Sequence, residues 1–107
     1  MTEQAVAAEA DVLAVDVRFM GDLPAVVGRR KLQVELPAGC TVGDLLASLS
    51  ERYGEAFSSR VFAGPGELHH YMLVFVGGEN IVDQDRLATK LGDGEVEVIM
   101  LPMFGGG

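Results

Sequence analysis

Glu95–Gly107 reads EVEVIMLPMFGGG. Glu95 to Leu101 has the composition of a strand, and Pro102 ends it because proline brings no N–H to a ladder. Beyond it, Gly105 and Gly106 carry no side chains, so this end can slide into a narrow channel and present the α-carboxylate of Gly107 as a reactive handle. From Pro102 to Gly107 an extended chain spans roughly 20 Å at about 3.3 to 3.6 Å per residue, enough to leave a domain surface and enter a partner's site. A glycine end is also the ordinary form of a frayed terminus. The functional reading therefore needs the preceding residues to supply a compact body and a docking face.

The 107 residues suffice for one domain, and 49% hydrophobic content suits a folded globule. Sixteen acidic against eight basic residues give a formal charge of −8, which disfavours a nucleic-acid partner and favours a basic protein surface. From Glu67 onward seven acids face only Arg86 and Lys90. Such an excess is also the ordinary composition of a solvated surface. Cys40 is the single cysteine, so the chain can build neither an internal disulfide nor a thiolate metal cage. The first residues, MTEQAVAAEAD, are acidic where a secretory signal needs positive charge, and no apolar run approaches the roughly 18 residues of a membrane span. A cytoplasmic protein with no membrane partner is expected.

Working back from the end, Asp93-Gly94 predicts a tight turn, and Leu87 and Leu91 a turn or single helical turn before it. Met72–Val76 is continuously apolar, as in a strand buried on both faces, and Gly77-Gly78 turns it into a short Asn80–Val82 segment; the pair reads as the central hairpin. Glu55–His70 predicts a short helix or loop broken by Gly64-Pro65-Gly66, with Phe57, Val61, Phe62 and Leu68 contributing to the core. Ahead of it, Thr41 and Asp44 stand in capping-box spacing, and Val42, Leu45, Leu46, Leu49 and Tyr53 form one apolar stripe that stops at Gly54. Lys31–Leu36 alternates with Leu32, Val34 and Leu36 inward. Asp11–Met20 alternates with Leu13, Val15, Val17 and Phe19 on one face. These two predict an antiparallel hairpin with a long loop through Gly21, Pro24 and Gly28. The fold class is α+β, with one main helix across a mixed sheet. Residues 1–10 read as a flexible tail, 11–101 as the domain and 102–107 as a C-terminal tail.

Little in the chain suggests self-contained catalysis. His69 and His70 are adjacent, so on a strand they face opposite ways, and no carboxylate or cysteine stands at a ligand spacing around them. The glycine pairs lack the lysine and helix-opening spacing of a phosphate loop. No Ser, His and Asp set points to a triad, and Cys40 reads as a small packed residue. No metal site, no bound cofactor and no enzyme activity are expected. Met100, Met103 and Phe104 read either as ordinary core or as adaptable partner contacts beside the tail.

HHYMLVFVGGENI, LATKLGDGEVEVIMLP and the final Gly106-Gly107 resemble the closing half of the sulfur-carrier family that includes the thiamine sulfur carrier and the small subunit of molybdopterin synthase. PGELHHYMLVFV and LATKLGDG are most similar to its branch serving cysteine synthesis or tRNA thiolation. The resemblance spans residues 12–107, with the specific motifs in the second half. It implies a β-grasp, ubiquitin-like fold. It also implies that Gly107 is adenylated by a ubiquitin-activating-like adenylyltransferase using ATP and converted to a thiocarboxylate. Gly105 and Gly106 would then give access, with a sulfur donor enzyme and an acceptor synthase as further partners. Met103-Phe104-Gly105 stands where the family commonly has a smaller valine- or serine-alanine-like stretch, which bears on which partners accept the tail. A ubiquitin-like modifier joined to lysines and a permanent small subunit of a synthase use the same kind of end, and the sequence does not separate the three.

Overall fold

The computed structural model describes residues 12–92 and 94–103. The expected tails lie wholly or largely outside this range: residues 1–10 on one side, and Phe104, Gly105, Gly106 and Gly107 on the other.

Strand β1 (Val12–Phe19) buries Leu13, Val15, Val17 and Phe19 on one face, as its alternation requires. It pairs antiparallel with β2 (Lys31–Pro37), with Val15 opposite Val34 and Val17 opposite Leu32. The connection is more ordered than the expected loop: α1 (Leu23–Val27) occupies it, with Pro24 in the first turn and Gly28 at φ 84° closing it. Leu23 and Val27, one helical turn apart, are buried beneath it. The main helix α2 (Val42–Tyr53) starts at the expected capping box. Thr41 Oγ1 accepts from the Asp44 amide at 3.2 Å, and an Asp44 carboxylate oxygen accepts from the Thr41 amide at 3.0 Å. Val42, Leu45, Leu46 and Leu49 are fully buried, each contributing about 1.5 to 3 kcal/mol. Helix α3 (Glu55–Val61) follows, adding Phe57 and Val61 to the core. Phe57 lies edge-on to Phe19, their centroids 6.4 Å apart.

A small ladder, β3 (Phe62–Gly64) with β4 (Glu67–Leu68), turns at Pro65-Gly66. Then come β5 (Met72–Val76), β6 (Glu79–Asn80), 3₁₀ turns at Ile81–Asp83 and Arg86–Ala88, and β7 (Gly94–Pro102). The five-stranded sheet has the order β2-β1-β7-β5-β6. β7 runs parallel to β1 and antiparallel to β5. This mixed sheet with the main helix across one face is the β-grasp, ubiquitin-like arrangement.

The order corrects the expectation for Met72–Val76. The β5–β6 hairpin forms one edge of the sheet, and the strand at its centre is β7. Nor is β5 buried on both faces: Met72 and Val74 are buried, whereas Leu73 and Phe75 are half-buried. The parallel pairing of β1 with β7 joins residues about eighty apart, which local periodicity does not encode.

Candidate functional site

Being central, β7 is supported on both sides to its last residues: Met100 stands opposite Phe19 on β1 and Val74 on β5, and Pro102 opposite Met72. Met100 is fully buried with the core residues, so it is part of the body and is corrected as a surface contact. Its parity with Val98 turns it toward the helices. Pro102 is also buried, whereas Met103 is 53% exposed, so the surface begins between them. The Met103 amide donates to the Tyr71 carbonyl at 2.7 Å, the last described bond before the tail.

Neither residue holding this root is marked for that role by the sequence. Gly21, at φ 63°, lies against the ring of Pro102: a Cβ there would stand 2.8 Å from Pro102 Cγ and 3.1 Å from Cδ. Beside it the Met20 amide donates to the Met100 carbonyl at 2.9 Å. Tyr71 stacks on His69, centroids 4.7 Å apart, and its hydroxyl reaches the Arg60 carbonyl at 3.4 Å. His69 Nε2 lies 3.0 Å from the Ser59 carbonyl, so the histidine bridges this segment to α3. The signal for Gly21 was faint, a glycine at the end of a strand among several others.

Next to the root, the sheet face away from the helices carries Leu73, Phe75, Ile99 and Leu101. Leu73 pairs with Leu101 and Phe75 with Ile99, so strand alternation sets four half-buried apolar side chains together. Farther across that face the surface is polar: Arg18 pairs with Glu97 at 3.7 Å, and Gln33 donates to Asp16 at 3.2 Å. The apolar group thus lies on the side of the sheet nearer the tail.

Among the described residues no group of three or more His, Cys, Asp or Glu side chains is placed to hold a metal ion. Cys40 sits beside the start of α2, where its carbonyl accepts from the Leu91 amide at 2.9 Å. Burial, with the Asp44 carboxylate adding to it, pushes its thiol up from the ordinary value of 9.0, while Lys90 opposes the shift. That is the opposite of an activated nucleophile.

The ThiS family model matches residues 17–107, which includes the root, the apolar face and the glycine end. The chain belongs to the ThiS family. Small archaeal modifier protein 3 of Haloferax volcanii is 30% identical over 94 residues, covering 88% of this chain and all of that protein. The sulfur carrier protein CysO of Mycobacterium tuberculosis is 32% identical over 72 residues, 65% of this chain and 75% of CysO. A crystal structure of small archaeal modifier protein 1 from Haloferax volcanii superposes with a TM-score of 0.74 at 30% identity, covering 88% of this chain and 99% of that one. The chain is therefore a member of a family of small ubiquitin-like sulfur carriers and modifiers. Among its described residues no helix is long and apolar enough to cross a membrane.

Proposed function

We propose that this ThiS-family chain is a cytoplasmic sulfur carrier, a protein substrate rather than an enzyme, whose Gly107 carboxylate is the reacting group. The observation that carries the reading is that β7, the central strand, brings the chain to the surface at Met103 immediately before the glycine end. From there the four remaining residues can reach about 13 Å into a partner. A ubiquitin-activating-like enzyme docks on Leu73, Phe75, Ile99 and Leu101, with exposed Met103 beside them, and takes the tail from Phe104 onward into its ATP site. A Gly107 carboxylate oxygen attacks the α-phosphorus of ATP and pyrophosphate leaves. A sulfide equivalent from a donor enzyme then attacks the acyl carbon, AMP departs with the bonding pair, and a thiocarboxylate results. Acceptor chemistry consumes the sulfur and regenerates the carboxylate. The chain itself holds no cofactor, and ATP belongs to the activating partner.

ATP–pyrophosphate exchange by such an enzyme should depend on the full chain and vanish when Gly106-Gly107 is deleted. Exchange that survives the deletion would remove Gly107 from its role. A second reading, a protein modifier, is favoured by the 30% identity to small archaeal modifier protein 3. The two share the acyl adenylate and part at the nucleophile, sulfide or a lysine amine. Lysine-linked adducts in place of a thiocarboxylate would select the modifier.

A further inference from the structure

The root of the tail closes a ring of contacts. Pro102 rests on Gly21. The neighbouring Asp22 carboxylate accepts from the Arg60 guanidinium. The Arg60 carbonyl accepts from the Tyr71 hydroxyl, and the Tyr71 carbonyl accepts from the Met103 amide. The ring passes through the β1–α1 turn, α3, the residue before β5 and the end of β7, so the tail's exit is tied to three separate parts of the body.

Within it Gly21 has no substitute. At 2.8 Å from the Cγ of a buried ring, any Cβ forces either the turn or Pro102 to move. Pro102 immediately precedes Met103, whose amide makes the last described bond to the body, so a shift there moves that anchor. We infer that Gly21 is a positioning residue that aims the tail for activation by holding Pro102. This rests on the reading of Gly107 as the adenylated end. Gly21 touches no reacting atom. Its effect falls on how often the Gly107 carboxylate lies in line with the α-phosphorus of ATP, hence on kcat more than on KM, which the apolar face built largely of Leu73, Phe75 and Ile99 sets.

Backbone strain alone would also make Gly21→Ala costly, and Gly28 separates the two effects. Gly28 has φ 84° but open space around its would-be Cβ. Gly28→Ala therefore carries left-handed strain without a collision with Pro102 or any other atom.

The test measures ATP–pyrophosphate exchange, by an activating enzyme that accepts the wild-type chain, with Gly21→Ala, Gly28→Ala, Pro102→Ala and the double variant Gly21→Ala/Pro102→Ala. Thermal melts check that each is folded. Gly21→Ala is expected to lower kcat by about 10-fold or more with KM within about twofold, because small misplacements of a reacting group are costly in rate. Gly28→Ala should match wild type in both. In the Pro102→Ala background, where the colliding ring is gone, adding Gly21→Ala should cause no further loss. Should Gly21→Ala fail to fold, the double variant against Pro102→Ala still decides. A kcat for Gly21→Ala equal to that of Gly28→Ala, or the same fold loss with and without the Pro102 ring, overturns the inference. Hydrogen exchange at the Met103 amide adds a readout that needs no enzyme: its protection should fall in Gly21→Ala and persist in Gly28→Ala. If the wild-type chain supports no exchange with any such enzyme, the reading of Gly107 falls and the aiming role with it. The Met103 amide then still reports whether Gly21 holds the root.

Discussion

Met100 and Met103 are three residues apart on or beside one strand, and they have opposite fates. Met100 is fully buried and Met103 is half in solvent. Truncating the buried one leaves a cavity, so Met100→Ala should cost about 2 to 5 kcal/mol in a denaturant titration. Met103→Ala should change stability by less than about 0.5 kcal/mol and show its effect only with the activating partner. In the sequence both were a methionine near the tail, and either reading was open. What decides between them is parity on β7, since residues matching Val98 point into the core. The same parity sets Ile99 and Leu101 on the open face, a grouping that stays hidden until β5 is placed beside β7. Cys40 offers a separate check. Its folded pKa is raised, so the neutral thiol is the form folding favours. That contribution is present below the ordinary value of 9.0 and is lost as pH rises through the folded pKa. Alkylation of native Cys40 should be slower than that of a cysteine peptide around pH 8, and the gap should narrow at more alkaline pH. Equal rates at pH 8 would contradict the assigned surroundings.

At the scale of elements, legibility followed how local the signal was. The start of α2 was readable because Thr41 and Asp44 lie within one turn and satisfy each other's amides. Thr41→Ala should lower stability by about 1 kcal/mol, read as a lower denaturant midpoint with an unchanged slope. The alternation of β1 and β2 was equally local, and their pairing follows it residue by residue. Helix α1 was missed because Gly21, Pro24 and Gly28 carry the composition of a loop, although Pro24 is suited to a first turn and Gly28 to a left-handed cap. The rank of β5 in the sheet failed for a different reason. Its apolar run is compatible with a central or an edge position, and only the arrival of β7 between it and β1 decides.

For the whole molecule, the sheet acts as a mount. The strand leading to the glycine end is its central member, flanked by β1 and β5 and packed from one side by α2 and α3. The acid-rich composition, −8 overall, suits a basic docking partner, and raising the salt concentration should weaken docking if surface charge steers it. Deleting Gly106-Gly107 should leave the melting temperature unchanged, because the described core ends at Pro102. The glycine end itself was legible without any structure, as an unusual run after a strand. The contacts at its root were not, because Gly21 is brought to Pro102 and Tyr71 to Met103 only by folding. The most direct test is intact-mass analysis of the chain after incubation with ATP, sulfide and a ubiquitin-activating-like enzyme. An oxygen-to-sulfur mass change confined to the C-terminal peptide and absent without ATP is expected. An unchanged mass alongside ATP-dependent lysine-linked adducts would contradict the carrier and identify a modifier.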